Sequence, residues 1–582
     1  MRHKTRIRIG QQPEGYVMFM TLAFAVLVGL ASLVVIGPSV GEALRSGQEL
    51  RDKRLFFRAD GGATLCRNEL KNRFNSAMPT KLGAITTASA FNSNLLTPYV
   101  TGNDPAGFLL AYAYDSTNAN LRGGNWTKDS TTRAHVDASS GQYQCTLTVD
   151  SRVAPAAGIS GLGSSALFRY RYTITGTATE SGVTRTVSLE GAFSIRVQQD
   201  NFARYALFTN DQGGIWIADG FNFYGPVHTN TEFNLKQAPH FWDTIESVAT
   251  KVKYGNGAAP ATPFEKYNTD PTYDHNGTID VPIFDKGFTL GAASIAMPAT
   301  TTGNDQKAIA LTGISAPSTN GAYLGVSGGA MTGGIFVKGD ASVSLSVPSA
   351  GIAQYTITQG ANTYTVQVNK ASNQTKIKLN SGSYTTYTGL PNGMFYVDGN
   401  VTGLAGTLEK DSQVTLAATN DVTITGNLVY ESYTPASGSN PPNAEGAGNL
   451  MGILSWNKNI HIGTSAPDDV NIHATLMAPS TASGYGQVVV DSYNSTTLGS
   501  KSNINQSPRG NATVLGGVIM NQYGAFGTVA GNPPTQTYTG YARNFVYDKR
   551  MAQGMSPPYF PTTGKVIGSL AGLTDRPNWR AN

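Results

Sequence analysis

Three groups of basic and aromatic side chains are the residues of this 582-residue chain best equipped to engage a partner. Lys251 and Lys253 adjoin Tyr254, Lys376 and Lys378 precede Tyr384 and Tyr387, and Arg543, Lys549 and Arg550 are interleaved with Tyr541, Phe545 and Tyr547. Cationic groups neutralise phosphates and aromatic rings stack on bases, so each group has the composition of a nucleic-acid contact. The plain alternative is a set of solvated faces and core aromatics. Only convergence on one surface would make them a site.

Catalytic chemistry has less to work with. Asp219, Asp243, Glu246, Asp270, Asp274 and Asp280 crowd one stretch, as the paired carboxylates of a polysaccharide hydrolase would. Asp and Asn are equally what tight turns require, and turn chemistry is the expectation here. His228, His461 and His473 have no third ligand at a recognisable spacing and read as strand residues. No P-loop, dinucleotide fingerprint, nucleophile elbow or HExxH occurs. The chain is therefore expected not to be an enzyme and to need no metal or cofactor.

Only 14% of residues are charged, against a usual ~25%, and the chain carries 66 Gly and a net charge of +5. That composition reads as a folded, turn-rich extracellular β protein. The charge is uneven: residues 201–535 carry fifteen basic and twenty-one acidic residues, while the basic excess sits at the two ends. Overall charge gives no argument for DNA binding. Two cysteines, Cys66 and Cys145, allow one disulfide at most.

The elements that must position these residues begin with an uncharged run, Tyr16–Ile36, of 21 residues behind Arg2, Lys4, Arg6 and Arg8. It is long enough to cross a bilayer, with its basic flank in the cytoplasm. Leu55, Ala59, Ala63, Cys66, Leu70 and Phe74 then recur at helical spacing, so one long helix is expected to leave the membrane and end on a soluble domain, kinked at Pro38. A basic leader ending in Gly15, an apolar helix from Tyr16 and a proline twenty-three residues after the glycine resemble a type IV prepilin. The resemblance implies cleavage after Gly15 by a prepilin peptidase, methylation of Tyr16, and packing against other pilins through the helix. The sequence departs from the family at Met20, where a glutamate is usual, and at Glu14 before the glycine. The missing carboxylate is read as a sign of a tip-located minor pilin; an ordinary signal anchor is the alternative.

Beyond the helix, YQCTLTVD (143–150), FRYRYTITGT (168–177) and VTRTVSLEGAFSIRV (183–197) alternate apolar and polar residues, and FLLAYAY (108–114) reads as a further strand; the last two of the alternating stretches form a hairpin. A long helix on such a sheet is the pilin architecture, and with it the resemblance implies that Cys66 and Cys145 meet. After Asn201, short triplets such as FNF (221–223), VTI (422–424), IHI (460–462) and VNI (470–472) recur every few residues, the signature of a β-solenoid. GGIFVKGDASVSL (333–345) and GMFYVDGNVTGL (393–404) repeat sixty residues apart, and QYTITQGANTYTVQVNK (354–370) reads as a projecting hairpin turning at Gly360.

ARYALFTN (203–210), YGPVHTN (224–230), NLMGILSW (449–456), GYARNFVYDKR (540–550) and PPYFP (557–561) extend the resemblance to solenoid-bearing, ComZ-type competence-associated minor pilins. The fold class expected is mainly β, with a long N-terminal pilin-type α-helix, a small antiparallel pilin sheet and a large right-handed parallel β-solenoid. The expected organisation is a leader at 1–15, the transmembrane and amphipathic helix at 16–76, and a pilin-like β domain at 77–202. The solenoid then spans 203–535, with a hairpin at about 352–388, and a C-terminal tail at 536–582 packs back on the fold. The resemblance implies an inner-membrane protein that moves to the extracellular pilus tip as a receptor for double-stranded DNA in natural transformation. The alternative is a structural minor pilin or adhesin that does not touch DNA, with a hydrolase ranked last.

Overall fold

The computed structural model describes residues 14–82, 124–127, 135–139, 144–153, 165–218, 221–236, 238–254, 282–437, 440–500, 507–530, 537–552, 554–571 and 578–581. The strand expected at 108–114, Asp219, Asp270, Asp274, Asp280 and the side chains of Cys66, Cys145 and Tyr254 lie outside the described residues.

Glu14–Leu82 is a single helix of 69 residues. It runs on past 76 and continues through Pro38, since one missing donor is not enough to end a helix of this length. Its first part, Gly15–Ser32, has a mean hydropathy of 2.0 and contains no buried residue, and by length and composition it can cross a membrane. Lower down, Leu55, Ala59 and Ala63, four residues apart on one face, are fully buried. They pack on the hairpin of Ser165–Glu180 and Val183–Asn201, whose inward residues are Ile174, Gly176, Ala178, Val187 and Leu189. Gly176 permits the approach: a Cβ there would run into the carbonyl of Ala59. Arg54 and Arg58 reach Glu180 (3.3 and 3.1 Å) and Arg185 reaches Asp52 (2.8 Å), fixing the helix against the hairpin at its rim. Ser181 and Gly182, both at positive φ, make the two-residue turn that the right-handed twist of such a hairpin favours.

This small antiparallel sheet is completed from the far end of the chain. Thr562–Ala571 and Asn578–Ala581 both pair with Val183–Asn201. The expected tail at 536–582 is thus divided. Ala542–Val546 belongs to the large sheet, Thr537–Tyr538 pairs with Val529–Ala530, and only the last two strands join the small sheet.

The large sheet is a stack of short parallel strands, as a solenoid requires. One inward-facing column runs Ile335, Phe395, Leu416, Ile453, Leu476, Val518, Leu207, Val227, Ile245, Phe288, each residue in register with the next. A second runs Leu428, Ile472, Val514, Phe545, Phe223, Phe241, Phe284. The spatial order differs from the order in sequence. The chain enters at Leu207 in the middle of the stack and winds to one end at Leu290. It returns along the outside through the helix Thr301–Ala310, restarts at the far end with Ala330–Lys338, and winds back until Val518–Gln522 docks beside Leu207–Asp211. The returning segment is tied to rung after rung: Asn230 to Ile295, Gln306 to Trp456 (2.8 Å), and Asn392 to Ile309 (3.1 Å). It covers a third apolar column, on the outer face, Phe336, Tyr396, Ala417, Leu454, Met477, Ile519, Phe208.

Corners are held by side chains. Asp340, Asn400, Asp421 and Asn459 each accept, through Oδ1, the backbone N–H of the next rung (2.7 to 3.2 Å), ending at Gln487. This is the turn role expected of Asp and Asn. The two sixty-residue repeats stack directly, Lys338 on Asp398, and a Cβ on Gly399 would strike Gly339 and Asp340.

The excursion over 352–388 carries more strands than a hairpin has. Ala341–Ser349, Ile352–Gln359, Asn362–Asn369, Gln374–Leu379 and Thr385–Thr388 form an antiparallel meander, in which the first strand also belongs to the stack, the last touches it again where Thr388 is in register with Ala330, and the three between leave it.

Candidate functional site

The meander alternates cleanly, so its two faces differ in kind. Leu345, Tyr355, Ile357, Val366 and Val368 are buried on one face. The other presents Ser342, Ser344, Ser346, Gln354, Thr356, Thr358, Thr363, Thr365 and Gln367, followed on the next strand by Lys376 and Lys378. Gln367 donates to Gln354 (2.6 Å) and Gln354 to Ser346 (3.3 Å), so the amides form a ladder across three strands. At the outer edge the Nζ atoms of Lys376 and Lys378 lie 4.5 and 4.9 Å from the centre of the Tyr384 ring. Two ammonium groups share one aromatic face, and both side chains remain part exposed. Tyr387 is in register with Thr375 on the opposite side and packs against the core, so it leaves this cluster.

Residues 341–397 contain Lys370, Lys376 and Lys378 and no Asp or Glu, inside a region whose overall balance is negative. Lys370 is turned inward to the Asp411 carbonyl and to Glu409 (3.8 Å), which leaves Lys376 and Lys378 as the cations of the polar face. A flat surface of hydroxyls and amides with paired ammonium groups can accept an anionic chain, since every group on it can donate to oxygen. Beneath the meander a cavity of about 280 Å³ is lined by Tyr355, Lys370, Asn392 and Ser412. Burial, reinforced by the charge of Glu409, pushes the Tyr355 hydroxyl up to about 12, so it is neutral at physiological pH.

The other basic groups do not converge with it. Lys253 pairs with Glu232, and Lys251 is exposed on a separate rung. Arg543 is buried among Phe221, Tyr523 and Phe526, 4.8 to 5.1 Å from their ring centres, and donates to the Gly524 carbonyl (3.4 Å). Burial pushes its pKa down, against the pull of Tyr523. Arg550 is buried over Tyr430, bound to Asp548 (2.6 Å) and to the carbonyls of Ala447 and Asn449. Both arginines hold the fold together and are closed to a ligand, which corrects their assignment as DNA contacts. Lys549 between Asp548 and Arg550 is exposed and stands apart from the meander.

The histidines serve the stack. His228 is buried on Phe208, with Nδ1 3.3 Å from Glu246 and Nε2 3.0 Å from Asn230. His461 lies between Asp491 (2.7 Å) and Asp421 (3.4 Å). Asp243 binds Lys286 (2.8 Å) and the Thr244 amide (2.7 Å). At the N-terminal end of the helix, Gly15 and Tyr16 lie in its first turn and are exposed. The side chains of the two cysteines are outside the described residues, but the backbone of Cys145 pairs with Gly176, the residue that touches Ala59 and Ala63 one turn from Cys66.

The signal that sequence inspection missed was local. Charge summed over 201–535 hides the acid-free window that the meander turns into one surface.

A family model described as a domain of unknown function (DUF4900) matches residues 167–250, from the hairpin into the first rungs of the stack. No curated protein matches the chain. Among solved structures, the competence-associated pilin ComZ from Thermus thermophilus is similar over 87% of this chain and 98% of its own, at 12% identity and a TM-score of 0.27.

Proposed function

We propose that this chain is a membrane-anchored minor pilin that displays its solenoid outside the cell and binds duplex DNA on the polar face of the meander. The anchoring reading is supported by the helix: an apolar, fully exposed half runs straight into a half docked on an antiparallel sheet. On this reading the peptidase cleaves after Gly15, Tyr16 is methylated, and the apolar half passes from the bilayer into a bundle of other pilin helices, possible because the same surface suits both settings. A bridge between Cys66 and Cys145 belongs to the proposal, supported by the backbone register that carries Cys145 to the helix. The role is one of binding and display at the filament tip, without catalysis.

The observation that carries the DNA reading is the acid-free meander with Lys376 and Lys378 paired over Tyr384. Lysines on phosphates release counterions, so affinity falls with salt. The full-length protein in detergent micelles should shift duplex DNA at low salt, and the Lys376→Ala/Lys378→Ala pair should weaken binding and lower the salt slope by about 2. No shift at low salt, or an unchanged slope in the double variant, would remove the DNA reading and leave a structural or adhesive pilin.

A further inference from the structure

A second surface lies on the other half of the stack, where the chain has wound past its entry point. The strands at 222–223, 240–241 and 283–284 are in register, with Phe223, Phe241 and Phe284 pointing inward. The residues on either side of each phenylalanine therefore point outward: Asn222 and Tyr224, His240 and Trp242, Ile283 and Asp285. Trp242 is 41% exposed and Ile283 40%. Outside the N-terminal helix, the described residues expose few large apolar side chains to this degree, and two of them stand on adjacent rungs, Ile283 in register with His240, two residues before Trp242. The indole is held firmly. Tyr224 stacks parallel to it at 5.6 Å and 8°, and the His240 ring lies 3.7 Å away at 24°. His240 is fixed in turn by Asp285 (3.2 Å), and Asp243, next to Trp242, is bound to Lys286 (2.8 Å).

We infer that this outward grid is a binding platform for a neutral carbohydrate chain. A sugar ring has an apolar C–H face and a rim of hydroxyls, and the grid offers the complement: a rigid indole with Ile283 diagonal to it on the next rung, bordered by two carboxylates, an imidazole and an ammonium group. Asp285 accepts one bond and Asp243 two, and each keeps lone pairs for hydroxyl donors. Asp243 and Asp285 outnumber Lys286, so the border repels a phosphate backbone, and a neutral polyol fits where a nucleic acid does not. The indole is immobilised before any ligand arrives, so little side-chain entropy is lost on binding. The platform is independent of the meander and of the DNA reading.

The test uses full-length protein in detergent micelles, titrated with cellohexaose and with chitohexaose, followed by tryptophan fluorescence and saturation-transfer NMR. Saturation is expected to reach the pyranose C–H protons of one of them. Trp242→Ala should weaken that binding by about tenfold or more, and Asp285→Asn by less, with the thermal midpoint of each variant checked against the parent. The Lys376→Ala/Lys378→Ala pair should bind sugar unchanged. Absence of saturation transfer with both oligosaccharides, or equal affinity in a folded Trp242→Ala variant, overturns the proposal; so does loss of DNA binding in Trp242→Ala without any sugar binding, which would assign the ring to nucleic acid.

Discussion

His473 gives the solenoid a pH dependence. It is 1% exposed, its Nδ1 accepts the Tyr430 amide (3.1 Å), and the rings of Tyr430 and Tyr433 meet it edge-on. Burial, with the charge of Arg550 added, pushes its pKa down to about 4. An unfolded histidine titrates near ~6.5, so between the two values the unfolded chain binds the extra proton and stability falls as pH falls. The contribution is complete above the unfolded value and worth about 3 kcal/mol across the window. Denaturant unfolding of the parent and of His473→Asn between pH 7.5 and 4 should show the parent losing more stability, by about that amount; parallel profiles would contradict the assignment. Arg543 and Arg550 show where residue reading stops. An arginine among tyrosines and phenylalanines has the same local sequence whether the rings cover a core or await a base. Only the register of Ala542–Val546 beside Asn511–Leu515 puts Arg543 inside. Lys376 and Lys378 stand two residues apart on one strand, so alternation puts both on the side of Tyr384.

The column of Phe545, Phe223, Phe241 and Phe284 ties the two halves of the solenoid together, with centroid distances of 5.8, 5.0 and 5.3 Å. Phe241 is fully buried in the middle of it. Phe241→Ala should cost about 3–5 kcal/mol through lost burial and the cavity left behind, read as a lower denaturation midpoint; a loss under about 1 kcal/mol would mean that the stack is not held from within. The triplets that make these columns were visible as short apolar runs between turn residues. The meander's full strand count was not, because two of its turns place Asn373 and Asn380 at positive φ, where glycine is the usual marker. The helix face was legible for Leu55, Ala59 and Ala63, since a period of 3.6 needs no tertiary information.

The assembled molecule is a solenoid entered from its middle. Both links to the small sheet are made at one place, where the Phe202 amide bonds the Pro561 carbonyl (3.2 Å) and Arg204 pairs with the buried Asp200 (2.8 Å). The meander and the Trp242 grid thus lie on opposite sides of the entry point along the stack. Repeat patterns could not reveal this order, because stacking a rung on the next or on a distant one uses the same apolar triplets. The strands from 562–571 and 578–581 were equally hidden, since their partner is some 370 residues away in sequence. A processed pilin helix at the N-terminus is the central claim of the proposed function, and mass spectrometry of the protein's N-terminus in cells tests it most directly. It should begin at Tyr16 and carry an added methyl group on the terminal amine. An intact Met1, with no methylated Tyr16, would contradict it.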